Sequence, residues 1–151
     1  MTHRVASALA VASLLLTTAC AEDDPATDVA VTLGTARVSA QIDAPQDLAS
    51  LEVTAQMEAT VDLRGAMVQE VTLAALPDGP QVAFDVTVRG PQDAASIDLP
   101  AGDTVVARIS NAGTTNADLQ PLCGSAASMT IVVEVEGIVR DASRDLTVGC
   151  S

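Results

Sequence analysis

Few residues of this chain could do covalent or acid–base chemistry, and three of them are cysteines. Cys20 follows an apolar run, Cys123 lies in a polar stretch, and Cys150 is the penultimate residue. His3 is the only histidine, Phe84 is the only aromatic residue, and lysine, tyrosine and tryptophan do not occur. Nucleophilic catalysis needs a serine, cysteine or threonine beside a base, usually histidine. We therefore expect no catalytic residues, no cofactor and no enzymatic activity.

The N-terminal segment has the features of a secretory signal. Arg4 precedes the uncharged apolar run 5–16, which is too short for a membrane-spanning helix of roughly 20 residues. A buried N-terminal helix is the alternative, but no second amphipathic helix follows for it to pack on. We therefore predict a signal helix and a signal peptide over residues 1–19.

The residues before Cys20 favour attachment of a lipid. Residues 16–20, "LTTAC", resemble the lipobox of bacterial lipoproteins, with Thr17 where leucine is usual. The resemblance covers only residues 1–20 and implies that Cys20 becomes the lipidated first residue of a cell-envelope protein. Ala21 follows it in place of aspartate, which implies the outer membrane. The alternative is ordinary cleavage after Ala21, which would release a soluble periplasmic or secreted chain.

The chain is strongly acidic, with 20 Asp and Glu against 7 basic residues and a formal net charge of −13. Proteins bind nucleic acid largely by neutralising phosphates with lysine and arginine, so we exclude nucleic acid as a partner. Anionic membrane surfaces are disfavoured for the same reason, which leaves the lipid as the contact with the membrane. Residues 20–28, "CAEDDPATD", predict a flexible acidic tether between that lipid and a domain.

Alternation of apolar and polar residues dominates from Val29 on and predicts β-strands. The strong patterns cover 51–64, 82–88, 129–135 and 146–150. Weaker strands are expected near 29–33, 35–42, 67–75, 95–99 and 104–110. At Gly34 the inward-facing positions change from odd to even numbers, which predicts a bulge or a tight turn. We predict an all-β fold for residues 29–151, an antiparallel β-sandwich of about eight strands.

This sandwich would resemble immunoglobulin-like domains only in the general sense. The immunoglobulin tryptophan and tyrosine corner are missing, and the cysteine spacing differs. Because the only aromatic residue is Phe84, the core must consist of Val, Leu, Ile, Met and many Ala. Phe84 alternates inward and is predicted to belong to that core.

Cys123 and Cys150 are predicted to form a structural disulfide. Lipidation of Cys20, like ordinary cleavage, leaves these two cysteines, and they can pair in an oxidising compartment. A redox pair or a metal site is the alternative, but the chain offers neither a CxxC spacing nor a histidine beyond the signal. The bond would hold the polar stretch 110–128 against the last strand.

That polar stretch is the best candidate for a binding surface, because loops on rigid scaffolds often carry function. A covering loop tied down by Cys123 is the alternative. The candidate residues for interaction are Asn111, Thr114, Thr115, Asn116 and Asp118. The loop residues Asp93, Asp98 and Asp103 offer oxygen ligands of the kind that calcium binds, but no D-x-D-x-D-G loop occurs, so we assign no metal ligand.

Together these features predict a non-enzymatic cell-envelope lipoprotein with a structural or protein-interaction role. The alternative is a β-sandwich module that binds a small ligand or calcium. Interaction hot spots and ligand pockets both favour aromatic residues. The scarcity of aromatic residues weakens the ligand-binding alternative more than the protein-interaction role. The expected partners are the membrane, through the N-terminal lipid, and another envelope protein.

Overall fold

A computed structural model describes residues 28–151, which contain ten strands and one short helix. The predictions for the signal helix, for Cys20 and for most of the tether lie outside the described residues. The helix α1 spans Asn116–Leu119, and 3-10 turns span Pro91–Asp93 and Gln120–Leu122. The strands are β1 Val29–Ala40, β2 Ser50–Ala59, β3 Leu63–Ala75, β4 Gln81–Ala83, β5 Val86–Arg89, β6 Ile97–Leu99, β7 Thr104–Asn111, β8 Ala126–Val135, β9 Ile138–Thr147 and β10 Gly149–Cys150.

The strands form two sheets that pack on one core, which confirms the predicted all-β sandwich. The first sheet has the order β10-β1-β2-β7-β5. In the second, β4 and β6 pair with β3, and β8 and β9 follow on its other side. Every pairing is antiparallel except that of β10 with β1. The count exceeds the expected eight partly because the pattern over 82–88 divides into the short strands β4 and β5.

The predicted period-two pattern over 51–64 is real, but it does not belong to one strand. Odd-numbered residues from Leu51 to Ala59 are buried along β2, and Leu63 is buried at the start of β3. Between them the chain leaves the first sheet and enters the second. The Asp62 carboxylate accepts a hydrogen bond from the Ala101 N–H at 2.8 Å, which supports the turn. The alternation continues through this turn, so it hides the break.

The predicted change of parity at Gly34 is confirmed as a bulge in β1. The pairing of β1 with β2 shifts register between Leu33 and Ala36. Thr54 of β2 fills the gap, and its Oγ1 accepts the Thr35 N–H at 2.7 Å. A Cβ at position 34 would lie 2.5 Å from that oxygen, so the close approach requires glycine.

The strand β9 was missed by the sequence analysis, which expected only residues 146–150 to be extended. Its sequence is largely polar, and Ala142 is its one buried residue. It forms a hairpin with β8 through the two-residue loop Glu136–Gly137, in which both φ angles are positive. Such a loop is typical of tight hairpins. The Glu-Gly pair was therefore the feature of the sequence that indicated a hairpin between β8 and β9.

The chain changes sheet five more times, and two of these crossings are the short connections from β4 to β5 and from β9 to β10. Phe84 joins β4 of the second sheet to the β5 region of the first, and it is buried as predicted. Val148 joins β9 to β10, which pairs with the end of β1. Beside β1, the Arg144 guanidinium of β9 donates a hydrogen bond to the Gly34 carbonyl. A side chain therefore spans the seam between the two sheets there.

Candidate functional site

The disulfide end of the sandwich is the end that carries Cys123 and Cys150. Their Sγ atoms are bonded at 2.02 Å, and their Cα atoms lie 5.6 Å apart. Two backbone hydrogen bonds join the same segments, from the Gly124 N–H to the Val148 carbonyl and from the Val148 N–H to the Ser125 carbonyl. The polar loop is therefore fixed to the chain terminus covalently and by its backbone.

Asn111 directs its side chain into the base of this loop. Its Nδ2 donates to the Ala49 carbonyl at 2.8 Å and to the Thr114 carbonyl at 2.6 Å. Its Oδ1 accepts the N–H groups of Gly113 and Thr114 at 3.1 and 2.9 Å. The Thr114 hydroxyl is buried and accepts the Asp85 N–H at 3.1 Å. Both predicted interaction residues are thus engaged with the backbone of their own chain.

Asn116 has the most enclosed polar side chain at this end. It is 3% exposed, although it is the first residue of α1. Its Nδ2 donates to the Ala44 carbonyl at 2.8 Å, and its Oδ1 accepts the Gln41 N–H at 3.1 Å. These two bonds hold the segment that joins β1 to β2, which lies about 70 residues away in sequence.

Thr115 and Asp118 form a capping box at the start of α1. The Thr115 Oγ1 accepts the Asp118 N–H, while the Asp118 carboxylate accepts both the N–H and the hydroxyl of Thr115 at 2.8 Å. The bond from the Thr115 backbone N–H, followed by that from its hydroxyl, lowers the pKa of Asp118 below its ordinary value. The box satisfies N–H groups that a helix start otherwise leaves unpaired.

The five residues predicted as an interaction loop are therefore brought together, but their polar groups largely bond to the protein itself. Leu119 and Leu122, which follow them, are fully buried and close the end of the core. This geometry favours the covering-loop alternative. An interaction through the outer surface of the loop stays a prediction, and it would have to use other atoms.

The loop aspartates that could serve as calcium ligands have separate contacts. The Asp93 carboxylate lies 3.0 Å from the Arg108 guanidinium, whereas the Asp98 carboxylate accepts the Gly65 N–H at 3.1 Å. Within residues 28–151, no three side chains of His, Cys, Asp or Glu are grouped so that they could share a metal ion.

A pair of arginines forms a second site that the sequence analysis did not identify. Arg89 of β5 and Arg108 of β7 are direct partners in the register of the first sheet. The sequence shows both residues, but their meeting depends on how two strands pair across a connection that visits the other sheet. No local pattern in the sequence encodes that pairing.

Comparisons with known proteins do not place the chain in a family. No family model matches it, and no curated protein is significantly similar to it. Over residues 28–151, no helix has the length and apolar character that crossing a membrane requires.

Proposed function

We propose that this protein is a non-enzymatic lipoprotein of the cell envelope, in which a lipid on Cys20 holds a rigid β-sandwich that interacts with another envelope protein. The observation that carries the proposal is the pairing of Cys123 with Cys150. Because those two cysteines bond to each other, Cys20 has no cysteine partner left within the chain. A lone cysteine directly after an apolar signal and a small residue is well explained by lipid attachment.

The position of Asp28 indicates how such an anchor would orient the domain. Asp28 and Thr60 exchange backbone and side-chain hydrogen bonds at the end of the sandwich opposite the disulfide. We call this the tether end. Residues 21–28 span at most about 28 Å when fully extended, so a lipid on Cys20 would keep the tether end near the membrane and present the disulfide end away from it.

The charge of the tether end supports a domain that stands off the membrane rather than lying on it. Anionic lipid headgroups repel negative side chains over roughly one Debye length, about 8 Å at physiological salt. Glu136 accepts the Arg64 N–H and Asp28 approaches Arg140 at 3.7 Å, but acids outnumber arginines here. The acids of this end are Asp28, Glu58, Asp62, Asp98, Asp103 and Glu136.

Anchoring is tested by the intact mass and membrane fractionation of the native protein and of Cys20→Ala. The native protein should start at Cys20, carry acyl chains and sediment with the outer membrane, whereas Cys20→Ala should lack lipid. Cys123→Ala/Cys150→Ala is the matched control, because it removes two cysteines and should keep the lipid. A native mass that begins at Glu22 without lipid would refute the anchor and favour a soluble chain.

The interaction role is tested by cross-linking in intact cells, followed by purification from the solubilised envelope. Partners that recur with the native protein and are lost with Cys20→Ala would support an anchored interaction. A cross-linked sample that contains only the protein itself, at expression levels matched to the native one, would argue against a protein partner.

A further inference from the structure

The arginine pair is unusual for a chain of this composition. The chain has 20 acidic and 7 basic residues, yet Arg89 and Arg108 lie directly opposite each other on neighbouring strands with both side chains exposed. Like charges in that arrangement destabilise a sheet. An anion placed between the two guanidinium groups would remove the repulsion, and two arginines can bind a carboxylate through several charge-assisted hydrogen bonds.

Within residues 28–151, Asp93 is the acid that forms an ion pair with these arginines, and the contact is weak. The Asp93 Oδ1 lies 3.0 Å from Arg108 Nη2, and Arg89 Nη1 donates to the Asp93 carbonyl at 3.5 Å. The side chains of Arg108 and Asp93 are 65% and 75% exposed. An ion pair so open to water contributes little, so a carboxylate from another molecule could replace Asp93 at small cost.

The turn that carries Asp93 has an unfavourable backbone. Gln92 and Asp93 have φ angles of 57° and 59°, a left-handed conformation that L-residues other than glycine adopt at a cost. The Gly90 N–H closes the turn by donating to the Ala94 carbonyl at 2.7 Å. The fold thus holds Asp93 beside the arginine pair, where it occupies the place that an external carboxylate would take.

The surroundings of the pair suit an extended ligand. A shallow depression of about 300 Å³ lies over the pair, and its wall includes the hydroxyl residues Thr54 and Ser110 and the acidic residue Glu52. Among the described residues, β5 pairs with β7 alone, so the backbone groups along its other edge remain available. An extended peptide can add to such an edge through main-chain hydrogen bonds and place every second side chain on one face.

We propose that Arg89, Arg108 and the free edge of β5 bind an extended acidic segment of a partner protein, whose Asp or Glu side chain displaces Asp93 from between the arginines. Charge complementarity selects the acidic side chain, and the unpaired strand edge selects an extended backbone. This assignment gives the partner class for the interaction role proposed above and rests on that role.

The test uses the purified native protein and a fluorescein-labelled peptide in which glutamate alternates with valine, with binding followed by fluorescence polarisation. Arg89→Gln/Arg108→Gln should weaken binding about tenfold, equivalent to about 1.4 kcal/mol. Arg64→Gln/Arg140→Gln is the matched control, since it removes two exposed arginines of the tether end, and should change affinity less than about twofold.

A second variant should act in the opposite direction. Asp93→Asn frees Arg108 and should strengthen binding about threefold, and asparagine tolerates the left-handed backbone there. Asp141→Asn on β9 makes the same change of net charge on the other sheet and should leave affinity unaltered. A gain that occurs equally in both variants would mean that net charge, rather than the arginine pair, controls binding, and would overturn the proposal.

The affinity for the peptide should pass through a maximum as the salt concentration increases. At 0.01 M salt the Debye length of about 30 Å exceeds the domain radius of gyration of about 14 Å, so the whole acidic protein repels the peptide. Near 0.15 M the length falls to about 8 Å, and the arginine pair dominates. Still higher salt then screens the pair itself. Affinity that only rises with salt would count against a local charge contact.

Several further results would overturn the proposal. One is undiminished peptide binding by Arg89→Gln/Arg108→Gln, and another is an equal loss in Arg64→Gln/Arg140→Gln. Binding of phosphatidylglycerol vesicles instead of the peptide through these arginines would assign the surface to lipid. Self-association lost in the double variant, without peptide binding, would assign it to a second copy of the chain. In each case intact attachment through Cys20 would leave the anchoring proposal standing.

Discussion

Asn116 offers the sharpest test of what the polar loop does. Its side chain is almost fully enclosed, and it makes one hydrogen bond to each end of the turn after β1, at Ala44 and Gln41. If the loop is a cover for the end of the core, Asn116→Ala should destabilise the fold. If the loop is chiefly a binding surface, the same change should spare stability and remove a partner.

The size of the effect follows from the two bonds. A buried donor or acceptor left without its partner costs about 1–3 kcal/mol, and the Gln41 N–H lies in an exposed residue where water can partly replace the lost acceptor. We expect Asn116→Ala to lower the free energy of unfolding by about 2–4 kcal/mol. At about 4 °C per kcal/mol for a domain of this size, the melting temperature should fall by about 8–16 °C.

The assay is urea denaturation and thermal melting of the native protein and three variants. Asn116→Asp keeps an acceptor for Gln41 but loses the donor to Ala44, so it separates the two bonds. Gln120→Ala is the matched control, since Gln120 is exposed in the same segment and its side chain makes no hydrogen bond within residues 28–151. It should change the free energy of unfolding by less than about 0.5 kcal/mol.

An Asn116→Ala protein as stable as Gln120→Ala would contradict the role of the loop as a cover for the core. If that variant also lost its cross-linked partners, the loop would be an interaction surface despite its internal hydrogen bonds. Because a destabilised variant can lose partners indirectly, binding is compared only at temperatures well below its melting transition.

Three more predictions concern other contacts. Replacing Cys123 and Cys150 by serine opens a covalent loop with a sequence separation of 27 and should cost about 3.6 kcal/mol by the chain-entropy estimate; denaturation midpoints unchanged by reduction would contradict this. The lowered pKa of Asp118 means that its carboxylate stabilises the fold at neutral pH and ceases to do so as the pH falls below 3.8 and through the lowered value. The difference in melting temperature between the native protein and Asp118→Asn should therefore shrink with acidification, and a constant difference would disprove the assignment. Gly34→Ala should lose about 1–3 kcal/mol by crowding the Thr54 hydroxyl, and less in a Thr54→Ala background, whereas strictly additive losses would show that the clash lies elsewhere.

The class of fold could be predicted from the sequence because a strand that buries one face alternates apolar and polar residues. Alternation along β2 and β8 marks their inward faces, and the change of parity at Gly34 marks the bulge. The edge strand β9 buries one side chain, so its largely polar sequence does not show this alternation. The break between β2 and β3 was hidden because the alternation continues through the connecting turn.

The sites were harder to predict than the fold, for a related reason. The composition of the polar loop is visible in the sequence, but the inward direction of Asn111 and Asn116 depends on carbonyl groups at Ala44 and Ala49, far away along the chain. The pairing of Arg89 with Arg108 depends on strand register. Contacts of this kind arise from tertiary structure, and local residue types do not determine them.

The parallel pairing of β10 with β1 has a mechanical consequence. Both strands run from the tether end towards the disulfide end, so the two chain termini of the domain lie at opposite poles. Tension between an anchor at Asp28 and a partner elsewhere on the domain would pull β1 along its own axis, against the ladder that it shares with β2. In that direction the hydrogen bonds of the ladder resist together, whereas a pull across the strands would open them one at a time. At the far pole, tension applied at Ser151 would pass through the disulfide into Cys123 rather than peel β10 away. If the proposed lipid anchor precedes Asp28, tension along the domain would therefore load β1 along its axis without unravelling either end.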